Sequence, residues 1–422
     1  MRPIPRNLLS DTAEVGDDGW LTIGGCSLAD LARDFGTPLF VYDEAHLRAR
    51  CHEAVTAFPD GVAYATKAFL CRAVARLALE EGMRLDVATS GELHVALAAG
   101  ARGDQLVFHG NNKSVDELRS ARAAGATIVV DSFDELDRLD QLHAEDGVVP
   151  RALIRITPGV EAHTHEFIRT GQGDSKFGFG VASGDAAKAI ERASSSGSID
   201  FDGLHLHIGS QVFVADFFHQ AVDVVAPFVR DLDLGELSIG GGLGVAYVDG
   251  EEAPTITQWA RSVLDAAAAA GIRARITAEP GRAIVASAAL TLYTAGTVKE
   301  LPDIRTYVSV DGGMSDNPRP VLYGSGYEAF LPRAPFEDRP RLVRIVGKHC
   351  ESGDVLVREA HVPADLVVGD VLATPVTGAY GQSMGSNYNK VLRPAVVFVA
   401  GGDARLVVRR EALDDLLTTD LG

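Results

Sequence analysis

GVAYATK (61–67), RLDVAT (84–89), QLVFHG (105–110), TIVVDS (127–132), RALIRIT (151–157), FDGLHLHIG (201–209), ELSIGGG (236–242) and RARITAEP (273–280) are eight short apolar runs, each followed by a helical pattern. Short apolar runs that alternate with helices predict βα units and a parallel sheet. Eight such units between Gly61 and Arg282 predict an α/β fold, a closed (β/α)8 TIM barrel, in which the active site lies at the C-terminal ends of the strands. Those ends carry Lys67, Thr89, His109, Asp131, His207, Gly240 to Gly242, and Glu279 with Arg282. A barrel built only for stability has no reason to collect polar groups there.

The intervening helices read as Ala-rich and amphipathic, as in CRAVARLALEEG (71–82) and SVDELRSARAAG (114–125). Ser114 with Glu117 three residues later forms a capping-box pattern, and Gly82 and Gly125 are natural stops. Upstream, LFVYD (39–43) reads as a strand and Glu44 to Phe58 as a helix entering the barrel. PGVEAHTHEFIRTGQGDSKFGFG (158–180) is too long for an ordinary connection, which predicts a lid or binding loop. After Arg282 the pattern changes to strands separated by turns, with a hairpin at AGGDA (400–404) and a short helix near Glu411 to Thr418. The expected division is a barrel over residues 37–285 and a β domain, a β-barrel or β-sandwich, made of residues 286–422 and the N-terminal arm, 1–36.

The charge balance, 39 basic against 58 acidic residues and a net −19, argues against nucleic-acid or anionic-membrane partners. Cys26, Cys51, Cys71 and Cys350 are scattered and form no CxxC, the usage expected of free thiols in a reducing compartment. The N-terminus lacks the apolar core of a secretion signal, and no run approaches the length of a membrane span. A cytoplasmic protein is expected.

GGGLG (240–244) after the seventh strand and Gly281-Arg282 after the eighth stand where barrels bind phosphate. Lys67 ends the first strand in an apolar context, YATKAF. Such a lysine either snorkels to the surface or, buried and lowered in pKa, forms a Schiff base. A lysine facing a phosphate pocket points to pyridoxal phosphate, whose ring nitrogen needs a partner. Glu279 is placed for that role, with a structural salt bridge to Arg282 as the alternative. In HLHIGS (205–210), His205 and His207 alternate onto one side, and a flat imidazole suits stacking on the ring better than metal ligation. No metal is expected. Cys350, between His349 and Glu351 in KHCESGD, is a candidate proton donor to a carbanion.

YATKA, HGNNKS, HLHIGSQ, GGGLG, EPGR, CESGD and GAYGQSMGSNYN occur in that order along the chain. Together they resemble the pyridoxal-phosphate decarboxylases of the alanine-racemase-like fold, most closely the diaminopimelate decarboxylase family, from TPLFVYDE (37–44) to RPAVVFV (393–399). Gln382 and Gly385 depart from that family's pattern. The resemblance implies that Lys67 carries the cofactor and that His207 stacks on its ring. Ser210, Gly240, Gly241, Gly242, Gly281 and Arg282 would hold the phosphate, and Glu279 the ring nitrogen. It implies that Cys350 donates a proton, and that Arg282, Arg319, Tyr323, Glu351 and Tyr380 contact substrate, Tyr380 reaching the cofactor as well. It also implies a homodimer whose sites are shared, with CESGD supplied by the second subunit. The expected reaction is decarboxylation of meso-2,6-diaminoheptanedioate to L-lysine. Decarboxylation of ornithine, lysine or a specialised-pathway amino acid is the alternative. A non-catalytic pyridoxal-phosphate-binding protein is disfavoured by the long tail beyond Arg282.

Overall fold

The structure is a computed structural model and describes residues 3–159, 175–213, 216–230, 232 and 234–422. The chain divides into two compact units, one of Arg50–Gly244 with Ala253–Ala283, the other of Met1–Ala49, Val245–Glu252 and Ile284–Gly422.

In the first unit the eight apolar runs become eight parallel strands: Ala63–Ala65, Arg84–Val87, Leu106–Phe108, Thr127–Val130, Arg151–Thr157, Asp200–His205, Glu236–Ser238 and Arg275–Thr277. Each pairs with the next in chain order. A parallel bridge between Val62 and Ala278 closes the ring, with the Ala63 amide donating to the Ala278 carbonyl at 2.9 Å. Buried side chains such as Ala63, Val107, Val129 and Leu153 pack together in this unit. At the start of the seventh strand, buried Glu236 accepts hydrogen bonds from Arg84 (3.0 Å), Arg151 (2.6 Å) and Thr277 (2.7 Å), tying three other strands together through one carboxylate.

The expected helix signals hold. Ser114 caps Val115–Ala124 in a reciprocal capping box with Glu117, and Gly125 ends the helix at φ 76°. That positive φ is open to glycine at little cost. Of the 158–180 connection, residues 160–174 lie outside the described residues, so the expected lid falls there; Phe179–Gly180 adds a short parallel strand beside Arg151–Thr157.

The second unit contains an eight-stranded sheet and a three-stranded sheet of Glu14–Val15, Leu21–Ile23 and Cys26–Ser27. The long strand Ala289–Leu301 is the spine of the large sheet. Its second half pairs with Arg305–Val310, and its first half with Val371–Pro375 and Leu39–Asp43. The AGGDA signal is a two-residue hairpin between Ala395–Ala400 and Asp403–Val408, with Gly401 and Gly402 at φ 58° and 88°. The short helix expected near Glu411 is a 3-10 turn at Leu413–Leu417.

The expected barrel boundary at residue 37 is corrected. Leu39–Asp43 is buried at every position and pairs with Ala289–Leu292 on one edge and Ala395–Val399 on the other. A run buried on both faces between two partners is a central strand of the large sheet and not a lead into the barrel. Residues 245–252 also belong to this unit, although they fall within the expected barrel span.

Candidate active site

Barrel closure sets the first strand beside the eighth, so the turn carrying Lys67 meets the segment Glu279–Arg282. The Ala65 amide donates to the Pro280 carbonyl at 3.2 Å. A side chain on Gly281 would come within 2.9 Å of the Ala65 carbonyl oxygen. Lys67 sits in a 3-10 turn, Thr66–Ala68, braced by the Tyr64 hydroxyl on the Phe69 carbonyl (2.6 Å) and the Thr66 hydroxyl on the Asp86 carbonyl (2.8 Å). The expectation that Lys67 is buried is corrected. The turn lifts it off the strand, and its side chain is exposed. Its amine has no hydrogen-bond or ion-pair partner among the described residues.

The loops after strands six and seven pair with one another. The Val212 amide donates to the Gly242 carbonyl at 2.9 Å and the Gly244 amide to the Val212 carbonyl at 3.0 Å. A Cβ on Gly241 would lie 2.3 Å from the Glu279 carbonyl oxygen, and one on Gly242 2.2 Å from that of Gly209. No side chain fits at either position. Arg282 donates to the Ser210 hydroxyl at 2.9 Å beside this loop, so an arginine, a hydroxyl and main chain without side chains converge there, as an anion requires. The Gly241 amide donates to His207 Nδ1 at 3.1 Å, which leaves Nε2 to carry the imidazole proton. Burial, with the positive charges of Lys67 and Arg155, holds the His207 pKa well below the ordinary histidine value. It is a neutral, flat ring.

Glu279 ends the eighth strand and is buried. His205 Nε2 lies 2.9 Å from its Oε2, His109 Nε2 lies 3.2 Å from its Oε1, and the Ser238 hydroxyl donates to Oε1 at 3.1 Å. The alternative of a Glu279–Arg282 salt bridge is therefore replaced by a histidine clamp. Burial alone would raise the Glu279 pKa, but the facing imidazoles of His109 and His205 outweigh it, and the carboxyl lies well below the usual range. Asp86 faces His109 at 3.6 Å, and burial raises its pKa to about 6. Ligand atoms of His109, His205 and Glu279 lie within 4.8 Å of one another, close enough for a metal-ligand set. Charge opposes that use, because Arg155 already bears on both His109 and His205.

Of the other strand-end groups, Thr89 serves as a helix N-cap, accepting from the Glu92 amide at 3.2 Å. Asp131 accepts from the Gly178 amide at 2.7 Å and faces Arg155 at 3.7 Å. Asp86 and Arg155 were missed from sequence. The available signal was a charge inside an otherwise apolar strand: Asp86 in RLDV and Arg155 in RALIRIT.

The remaining expected residues lie in the second unit, where their loops knit together. Asp354 accepts from the Met314 amide at 2.7 Å and from His349 Nδ1 at 2.8 Å, the Ser386 amide donates to the Ser315 carbonyl at 2.9 Å, and the Cys350 amide donates to Asn389 at 2.9 Å. Cys350 and Glu351 are exposed on this turn. Tyr323 ends the short helix Arg319–Tyr323, and Tyr380 takes a positive φ of 60°. Arg319 is buried, with its guanidinium 4.2 Å from the Tyr247 ring centroid and 5.4 Å from that of Tyr327, whose hydroxyl accepts its hydrogen bond. It does not pair with Asp316, which is bonded by the Tyr293 hydroxyl and the Gly313 amide and raised by burial to about 7. Among the described residues the Arg319 guanidinium has no carboxylate partner. Tyr247 and Tyr327 were also missed.

A free lysine amine, an anion cradle and an ionised carboxylate at the C-terminal mouth of a (β/α)8 barrel define a cofactor-dependent enzyme and fit pyridoxal phosphate, with its aldehyde, phosphate and ring nitrogen. Comparison with known proteins agrees. The family described as pyridoxal-dependent decarboxylase, pyridoxal binding domain, matches residues 44–286. Diaminopimelate decarboxylase of Mycobacterium tuberculosis is 47% identical over 440 residues, covering 99% of this chain and 97% of that one. The enzyme of that name from Bacillus subtilis is 44% identical, covering 98% of each. The crystal structure of diaminopimelate decarboxylase from M. jannaschii in co-complex with L-lysine superposes with a TM-score of 0.91 at 32% identity, covering 98% of each chain. The chain thus belongs to the pyridoxal-dependent decarboxylases and, within them, to the diaminopimelate decarboxylase family.

Proposed function

We propose that the chain decarboxylates meso-2,6-diaminoheptanedioate to L-lysine and CO2, using pyridoxal phosphate. The observation that carries the substrate is Arg319. A guanidinium buried without a counter-ion is costly. A substrate with a second, distal carboxylate supplies the missing partner through two parallel hydrogen bonds. Ornithine and lysine have no such carboxylate.

Lys67 would offer its amine, unpartnered among the described residues, to the cofactor aldehyde. Gly240 to Gly242, Gly281, Ser210 and Arg282 would hold the phosphate. The neutral His207 ring would stack on the cofactor, and Glu279 would keep the ring nitrogen protonated. Bound in this way, pyridoxal phosphate supplies an electron sink for the pair left by the departing carboxylate. Cys350 presents its exposed thiol as the proton donor that replaces the carboxylate. Glu351, on the same exposed turn, takes the distal ammonium, with Tyr323 and Tyr380 beside the substrate and Tyr380 also reaching the cofactor.

We further propose a homodimer in which Cys350 and Glu351 serve the active site of the second subunit; the exposure of this turn supports it. A cytoplasmic location is supported by four free cysteines, and no helix among the described residues is long and apolar enough to cross a membrane.

The substrate reading is tested with Arg319→Ala. Loss of a bidentate charge-assisted contact predicts a KM for meso-diaminopimelate raised by about a hundredfold or more, with L-lysine, a poor substrate, little affected. An unchanged KM removes Arg319 from the substrate.

A further inference from the structure

We infer that His109 and His205 are positioning residues for the reaction: they clamp the Glu279 carboxylate between two imidazoles and fix the orientation in which it meets the cofactor's ring nitrogen. This rests on the assignment of Glu279 to that nitrogen. The three side chains come from three separate strand ends, the third, sixth and eighth. Each carboxylate oxygen faces one imidazole, His205 Nε2 at 2.9 Å from Oε2 and His109 Nε2 at 3.2 Å from Oε1. The two rings meet edge to face with centroids 4.9 Å apart, so neither can turn without disturbing the other.

A purely structural role fits these histidines poorly. His205 is only 1% exposed, and among the described residues its Nδ1 has no hydrogen-bond partner. A buried polar atom left unpaired costs stability that an apolar side chain of similar size would not lose. What the imidazole provides in return is an N–H aimed at Glu279.

The two clamps differ. His109 stands between two carboxylates, Glu279 and Asp86, with Arg155 also bearing on it. Burial works against its charge, but the two acids prevail and its pKa is raised above the ordinary histidine value, so of the two imidazoles it is the more readily charged. His205 faces Glu279, His109 and Arg155; burial lowers it to about 4, so it donates a neutral N–H. The two oxygens thus face imidazoles of opposite tendency, one with its pKa raised and one with its pKa lowered. A carboxylate held in this way stays ionised in a dry site and does not rotate off the ring nitrogen.

The test is a double-mutant cycle on the holoenzyme. His109→Gln and His205→Gln are made singly on the wild-type and Glu279→Gln backgrounds, with the Asn variants read in the same way should a Gln variant fail to fold. The visible absorbance of the bound cofactor, measured without substrate, and kcat and KM for meso-diaminopimelate are recorded. On the wild-type background each variant is expected to shift the absorbance band and to lower kcat about tenfold or more with KM little changed. On the Glu279→Gln background the further loss should be under about twofold, because the histidines act only through Glu279. Equal losses on both backgrounds, or an unmoved spectrum with only thermal stability reduced, would overturn the inference. If the spectra behave as expected while the wild type decarboxylates no diaminopimelate, the clamp stands and the substrate assignment falls.

Discussion

Lys67 shows what a single residue owes to its local turn. The sequence predicted a lysine at the end of the first strand facing a phosphate site. The structure keeps the position but exposes the side chain, because the Thr66–Ala68 turn lifts it away from the buried strand. Lys113 is the contrasting case. It is buried and bonded to Glu135 and to the Gly110 and Val129 carbonyls, a set that uses every proton on its amine. A lysine so committed cannot attack an aldehyde, whereas Lys67 is unencumbered. Borohydride reduction of the holoenzyme is therefore expected to fix the cofactor on the peptide containing Lys67, read by mass spectrometry. Label on Lys113 or Lys176 would reject the assignment.

At the scale of elements, what is local was legible. Seven of the eight barrel strands fall within the quoted runs and the sixth begins one residue earlier, at Asp200, and the Ser114–Glu117 box and the Gly401-Gly402 hairpin form as read. Periodicity, caps and turns are written within a dozen residues of one another. What the sequence did not reveal is non-local. LFVYD looks the same whether it enters a barrel or fills a sheet; only pairing with strands some 250 and 350 residues away decides. Tyr247 reaches Arg319 from more than seventy positions upstream, so no window contains both. The candidate site divides in the same way. Strand-end residues such as Lys67, His207 and Glu279 could be read from the barrel rule, whereas Asp86 and Arg155 are charges in the middle of apolar strands. Their place in the site becomes visible only when His109, His205 and Glu279 are seen around them.

For the whole molecule, the proposed sharing of sites makes a mixing prediction. Lys67→Ala subunits and Cys350→Ala subunits are each expected to be nearly inactive. Mixed under exchange, heterodimers assemble one site with both residues intact, so roughly a quarter of wild-type activity per subunit should return if dimers form at random. No recovery despite demonstrated exchange would count against sites shared between subunits.

The claim that joins the barrel chemistry to the buried arginine is the identity of the substrate. It is measured most directly by giving the wild-type holoenzyme a panel of amino acids, meso-diaminopimelate, L-lysine and L-ornithine among them, and recording CO2 release with identification of each product. The account predicts CO2 and L-lysine from meso-diaminopimelate, with kcat/KM exceeding that for L-lysine and L-ornithine by roughly a hundredfold or more, the discrimination a buried charged group exerts against a substrate that leaves it unpaired. Equal or faster release of CO2 from L-lysine or L-ornithine would contradict it.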